Sequence, residues 1–218
     1  AKLPTRINEV DYAGIGRGKQ YLQKMLNKDV KRRIRSAAQA DHMMQHLSGT
    51  TNYSGFANAD VVIEAVFEDI GLKQKVLQAV EEAGRDDVIF ATNTSSLSVA
   101  EVASSCSNLT RIMGIHFFNP VPLMKLVEVV PLEQTDSVLI ANVKSVLQTW
   151  GKTVVTAKDT PGFIVNRIAR PFYGEALKIY DEGLADFATI DWAMKEYGGF
   201  KMGPFELMDY IGNDVNYN

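Results

Sequence analysis

The chain has 218 residues, 46% of them hydrophobic, and a net charge of −3. That is enough for one large domain or two small ones, and it excludes a disordered chain and a general nucleic-acid binder. Its one cysteine, Cys106, excludes an internal disulfide framework and fits a reducing compartment, the cytoplasm or, for a eukaryotic source, the mitochondrial matrix. No apolar run approaches the ~20 residues of a membrane helix, and the opening residues show no signal-peptide pattern.

Thr5–Val10 alternates weakly and predicts a strand. Two helices are expected between residues 12 and 47, one with Leu22, Met25 and Leu26 on a face, the other with Met43, Met44 and Leu47. A short strand is expected over Thr50–Tyr53, then a buried one over Val61–Val66. Asp69–Ala83 reads as an amphipathic helix through Leu72, Val76, Leu77 and Val80. Val88–Thr92 predicts a strand, Val99–Ala103 a helix, Arg111–Ile115 and Leu126–Val130 strands, Ser137–Trp150 a helix, and Lys152–Ala157 a strand. Strands alternating with helices imply a largely parallel sheet covered on both faces. After Asp159-Thr-Pro-Gly162 the texture changes, and Phe163–Gly183, Ala188–Tyr197 and Gly203–Ile211 all read as helices. Pro and Gly stop one element there and open the next, so we expect an α/β domain over 1–158 and a helical domain over 159–218.

The densest chemistry lies between His116 and Glu128, separated by an Asn-Pro turn and an apolar run. Imidazole exchanges protons near neutral pH, and a carboxylate on its far nitrogen fixes the tautomer and steadies the imidazolium. A turn followed by a strand brings two such groups together. The pair suits an alcohol–ketone dehydrogenase, provided a hydride acceptor lies opposite.

A dinucleotide fold would supply that acceptor, and it needs a strand, then G-x-G-x-x-G, then a helix. The one candidate, Gly14-Ile-Gly16-Arg-Gly18, has the wrong spacing and reads equally as the first turns of a helix after the second strand of such a sheet. Glu9 ends the first strand, where a dinucleotide fold places the acid for the ribose diol. The ordinary alternative is a solvated strand-end carboxylate. If Glu9 is that acid, the first βα unit is absent from this sequence.

Four segments resemble the L-3-hydroxyacyl-CoA dehydrogenases, including 3-hydroxybutyryl-CoA dehydrogenases: VVIEAVFED at 61–69, ATNTSSL at 91–97, GIHFFNPVPLMKLVEVV at 114–130 and KDTPGFIVNR at 158–167. The stretch FKMGPFELMDYIGND at 200–214 resembles the family's helical domain. The resemblance implies a Rossmann-type dinucleotide-binding sheet lacking its first βα unit, followed by a helical C-terminal domain. It implies NAD as cofactor, a 3-hydroxyacyl-CoA as substrate and a homodimer. It also assigns roles: His116 as base, Glu128 as its partner, Ser95 at the substrate oxygen, Asn166 helping to hold the reacting group. Glu9, Glu68, Lys73 and Asn93 fall to the cofactor side, Glu9 standing where the family usually has aspartate. The family's opening glycine loop and its closing helices, after the segment that Gly212-Asn213-Asp214 resembles, are missing from this sequence. Without the central first strand, its neighbours in the sheet would lack ladder partners.

Each residue also has a plainer reading. Ser95 suits a helix N-cap, Asn166 an early helical polar position, and Glu68 a strand end. His42 and His46 share a helix face at a metal-ligand spacing, but no third ligand is evident, so no metal is expected. Lys28, Lys31, Arg32, Arg33 and Arg35 form a solvated basic face or a dock for the 3′-phosphate-ADP end of CoA. Phe117 and Phe118 suit a core or a pocket wall, and Cys106 has no local activating group. The competing readings are a non-catalytic fragment that keeps the fold but not the cofactor, and a related hydroxyacid dehydrogenase, against which the HFFNP and Glu128 pattern argues.

Overall fold

The computed structural model describes residues 3–212. β1 (Thr5–Asn8) leads through α1 (Tyr12–Lys31) and α2 (Ala37–Gln45) to β2 (Leu47–Thr50). The two strands pair in parallel, Thr5 opposite Leu47 and Asn8 opposite Thr50. Local side chains set the helix starts. Asp11 accepts from the Gly14 amide, and Ser36 with Gln39 forms a reciprocal capping box. The strand expected over 50–53 lies three residues earlier. Beyond Thr50 the Asn52 side chain accepts from the Thr50 hydroxyl at 2.8 Å and the Ser54 amide at 2.9 Å, which turns the chain out of the ladder. Gly14, Gly16 and Gly18 lie within α1, as the helical alternative required.

A second sheet has the order β3 (Val61–Glu64), β4 (Ile89–Thr92), β5 (Ile112–Phe117), β6 (Leu126–Pro131), β7 (Thr153–Thr156). β3, β4 and β5 run parallel, β6 is antiparallel to β5, and β7 is parallel to β6. α3 (Ile70–Ala83) and α4 (Val99–Ala103) follow β3 and β4, and α5 (Ser137–Thr149) joins β6 to β7. Side chains alternate between faces with period two. Phe90, Ile112 and Val130 therefore pack with Leu77, Val80 and Val99 on one face. Ala91, Met113, Ile115, Val127 and Val129 meet Val143 and Leu147 on the other.

The same alternation decides where polar groups fall. Glu64 pairs in register with Thr92, Thr92 with Gly114, and His116 with Glu128. All lie on the face of α3 and α4, toward the carboxyl ends of β3, β4 and β5. Among the described residues β1 pairs only with β2, and β3 only with β4, so the dinucleotide-type sheet stands in two pieces with Val61 and Ile63 42% and 40% exposed. Residues 158–164 connect β7 to α6 (Val165–Asp181), α7 (Phe187–Glu196) and α8 (Pro204–Ile211). In that connection Gly162 has φ +73° and Phe163 φ +46°, a region that disfavours side-chain-bearing residues. Asp191 of α7 accepts both the Phe205 and Glu206 amides at 2.9 Å and so opens α8. Asn213 and Asp214, part of the segment matched by sequence, lie outside the described residues. Among the described residues no helix is long and apolar enough to cross a membrane.

Candidate active site

His116 and Glu128 meet because β5 and β6 are antiparallel neighbours in a register that sets them opposite each other. Nδ1 of His116 lies 2.7 Å from Oε2 of Glu128; His116 is 6% exposed and Glu128 is fully buried. A carboxylate only accepts, so the proton of a neutral imidazole sits on Nδ1 and the lone pair on Nε2. Oε1 of Glu128 accepts the Ile164 and Val165 amides, each at 3.0 Å. The same carboxylate thus caps α6, satisfying amides that the first turn leaves without intrahelical partners. Phe163 and Phe118 flank the imidazole at ring-centroid distances of 5.6 and 4.5 Å. Phe163, at φ +46°, lies against the imidazole, and the next two amides reach Glu128.

A second clamp ties the connection to the sheet. Asp159 accepts from the Ser98 hydroxyl at 2.8 Å and from the Val99 and Ala100 amides at 2.9 and 2.8 Å. Ser98, not Ser95, is the N-cap of α4. Ser95 lies in the loop before it, because its backbone amide is donated sideways to Glu68 at 2.9 Å. Asn166, the second residue of α6, donates its Nδ2 to the Ser95 carbonyl at 3.4 Å, which brings these two predicted residues together.

Glu68 lies four residues past the end of β3, where Glu64 is the strand-end carboxylate. Oε1 of Glu68 accepts from the Thr94 hydroxyl (2.6 Å), the Ser95 and Ser96 amides (2.9 Å each) and the Ser96 hydroxyl (3.0 Å). Partial burial pushes its pKa up, but the Thr94 hydroxyl and the Ser95 and Ser96 donors outweigh that and hold it at about 2. Lys73 is fully enclosed, its ammonium 2.9 Å from Glu64 and 3.3 Å from Glu68. Glu64, also buried and bonded to the Thr92 hydroxyl at 2.7 Å, joins this cluster and was not singled out from the sequence. The signal was present: an acid at an inward-facing strand position is rarely idle. Asn93 accepts the Phe117 amide on its side-chain oxygen at 2.9 Å, lacing β4 to β5 one residue after His116.

The remaining candidates lie elsewhere. Glu9 is exposed just past the carboxyl end of β1, its carboxylate near the start of α1 where a Cβ on Gly14 would come within 3.0 Å of it. Lys28, Lys31, Arg32 and Arg33 are exposed at the end of α1, while Arg35 pairs with Asp29 at 2.8 Å. The Nε2 atoms of His42 and His46 lie 3.3 Å apart. Cys106 donates to Glu81 at 2.6 Å, and burial together with that carboxylate pushes the thiol up to about 12.

A mostly parallel sheet with its polar groups at the strand carboxyl ends, joined to a helical segment, defines a dinucleotide-binding class of α/β protein. Residues 1–160 match the 3-hydroxyacyl-CoA dehydrogenase, NAD binding domain, and residues 162–218 the 3-hydroxyacyl-CoA dehydrogenase, C-terminal domain. The chain belongs to the 3-hydroxyacyl-CoA dehydrogenase family. It is similar to the fatty acid oxidation complex subunit alpha of Vibrio vulnificus (strain CMCP6), at 42% identity over 217 residues, 99% of this chain and 30% of that protein. Among solved structures it is similar to 3-hydroxybutyryl-CoA dehydrogenase from Escherichia coli K12, with TM-score 0.94 and 37% identity over 98% of this chain and 45% of that one. It is also similar to (S)-3-hydroxybutyryl-CoA dehydrogenase from Ralstonia eutropha, with TM-score 0.93 and 35% identity over 96% of this chain and 74% of that one. The chain thus spans less than half the length of the first two of these relatives.

Proposed function

We propose that the protein interconverts (S)-3-hydroxyacyl-CoA and 3-oxoacyl-CoA, with NAD carrying the hydride, in fatty-acid β-oxidation or butanoate metabolism. The observation that carries this reading is the buried His116–Glu128 pair at 2.7 Å. Glu128 occupies Nδ1, so Nε2 takes the substrate hydroxyl proton, and the carboxylate stabilises the imidazolium that forms. Ser95 and Asn166 are neutral donors that orient the substrate oxygen. NAD, when bound, accepts the hydride from C3. The residues at the strand ends fit it in part: Glu9 would hold the ribose diol, and Glu68 and Asn93 would line the nicotinamide side, with Lys73 behind Glu68. The exposed Lys28, Lys31, Arg32 and Arg33 suit the phosphates of CoA. Arg167 and Arg170, lining a cavity of about 330 Å³ beside Ser96, add positive charge near the site.

We place the domain boundary near Lys158 and assign residues 159–218 to substrate closure and a homodimer. Ile168 of α6, Leu184 of the turn that follows it and Trp192 of α7 are 71%, 72% and 52% exposed, which suits a covered face. Light scattering should give twice the monomer mass; a monomer at micromolar concentration would remove the dimer. The reaction is tested by acetoacetyl-CoA-dependent loss of NADH absorbance, abolished by His116→Gln. Undiminished turnover in that variant ends the proposal. Two observations favour a second reading, a chain that keeps the fold without binding the dinucleotide: β1 and β3 share no ladder, and Gly14, Gly16 and Gly18 lie inside α1. An NADH fluorescence titration separates the two readings.

A further inference from the structure

The 158–164 connection carries the Ile164 and Val165 amides to Glu128, and the backbone of Phe163 resists the form it takes. Phe163 lies at φ +46°, and a side-chain-bearing residue stays in that region only when its surroundings enforce it. Inside the connection the bonds are short-range: the Thr160 amide donates to the Lys158 carbonyl and the Phe163 amide to the Thr160 carbonyl, each at 2.9 Å. The last ladder bond before it runs from the Ala157 amide to the Val129 carbonyl at 2.9 Å. Among the described residues, Asp159 is the one side chain of this connection with a hydrogen bond outside it. Its Oδ1 accepts the Val99 amide at 2.9 Å, and its Oδ2 the Ser98 hydroxyl and the Ala100 amide at 2.8 Å each. The support it grips is fixed, because Val99, Val102 and Ala103 of α4 are fully buried in the core. Ser98 satisfies the Glu101 amide of α4 at 3.2 Å, so Asp159 completes that cap and fastens the connection to it in one step. At the far end Oε1 of Glu128 is taken by the two amides at 3.0 Å, which leaves Oε2 to face Nδ1 of His116 at 2.7 Å. The direction of the Glu128 carboxylate follows the amides, and the amides follow the connection.

We infer that Asp159 is a positioning residue for the His116–Glu128 pair: it fastens the connection to α4 and so holds the two amides where they turn Glu128 toward Nδ1. The inference rests on the dehydrogenase reading above for its kinetic consequence. The three bonds of Asp159 all go to residues 98–100, so it acts on the pair through the main chain. Phe163 lies between the two anchors, buried, with its ring against the imidazole. Loss of the Asp159 anchor lets Phe163 relax toward ordinary φ, which draws the amides away from Oε1. The carboxylate then turns to recover donors, and its contact with Nδ1 lengthens.

The test compares wild type with Asp159→Asn and with a matched control, Asp191→Asn. Asp191 also accepts two helix-opening amides at 2.9 Å, but at the start of α8, so its loss lowers stability without touching the connection. The measurements are Tm, kcat and KM for acetoacetyl-CoA, and the Nδ1 proton of His116 in 15N-histidine protein. That proton, held by a buried carboxylate, should give a downfield signal, assigned by its absence in His116→Gln. In Asp159→Asn we expect kcat to fall about tenfold or more with KM within about threefold, since the pair is misplaced while substrate contacts remain. The Nδ1 signal should move upfield or broaden away. Asp191→Asn should lower Tm and leave both kcat and the signal as in wild type. If Asp159→Asn fails to fold, Ser98→Ala, which removes one of the three donors, should show the same pattern at smaller size. Three results overturn the inference: a lowered Tm with kcat and signal unchanged, which makes Asp159 a cap of α4 and no more; the same fall in kcat and the same signal change in Asp191→Asn, which makes the effect general loosening; or KM raised about tenfold at unchanged kcat. If wild type turns over no acetoacetyl-CoA, the dehydrogenase reading fails by itself, and the Nδ1 signal still decides whether Asp159 positions the pair.

Discussion

Replacing Glu128 by glutamine keeps the shape of the side chain and removes its charge. Glu128 now accepts three hydrogen bonds, from His116 at 2.7 Å and from the Ile164 and Val165 amides at 3.0 Å. Glutamine has one oxygen, and it keeps more bonds by leaving that oxygen on the two amides. Its NH2 group then faces Nδ1, which must become the acceptor, and the imidazole proton moves to Nε2. The base is then in the wrong tautomer, and the imidazolium has lost its counter-charge. Breaking a buried charge pair costs about 3–5 kcal/mol, so kcat should fall by about 10²–10⁴-fold. The two amide bonds weaken from charged to neutral acceptance, a loss of about 1–2 kcal/mol and a Tm lower by roughly 3–6 °C. NADH oxidation on acetoacetyl-CoA and thermal melting read the two effects separately. A variant with kcat within about threefold of wild type would refute the reasoning.

The other predictions concern stability and reactivity. Glu68 is held at about 2, below its ordinary value of 4.5, so its contribution is complete above pH 4.5 and is lost as pH falls through about 2. Glu68→Gln should flatten the pH dependence of denaturant stability in that window; an unchanged slope contradicts the clamp. Cys106, with its thiol pushed up to about 12, should resist a disulfide reagent at pH 8 in the native protein and react after unfolding. Rapid native labelling would show that the thiol escapes Glu81. A Cβ at Gly49 would lie 2.3 Å from Cγ2 of Ile15, so Gly49→Ala should push α1 from β2 at a cost of about 1–3 kcal/mol. An unchanged urea midpoint would mean that the helix shifts without penalty.

Local rules reached far along this chain. Apolar periodicity placed α3, α4, α5 and the strands of the larger sheet within a residue or two of where they lie, because each buries one face and the pattern is written in Leu77, Val80, Val127 and Val129. Turn chemistry was harder to read, since the Asn52 side chain bonds two neighbours and moves a strand by three residues. His116 and Glu128 stood out as residue types that pair, and their ordered segment resembled one family.

What no local rule contained was the register and the joint. Which face of β5 carries His116 follows from alternation, but that Glu128 lies opposite it is a fact about two strands paired antiparallel across the intervening loop. That the same carboxylate also caps a helix 36 residues onward depends on how the 158–164 connection folds back over the sheet. Glu64 escaped notice for a related reason. A buried acid is recognisable only through the partners that surround it, and Lys73, Thr92 and Glu68 come together only when two strands, a loop and a helix are packed. The sequence by itself determined the elements and the residue types. Tertiary structure alone decided which of those groups share a hydrogen bond, because such bonds act over about 3 Å and residues far apart in the chain meet at that range only in the folded state.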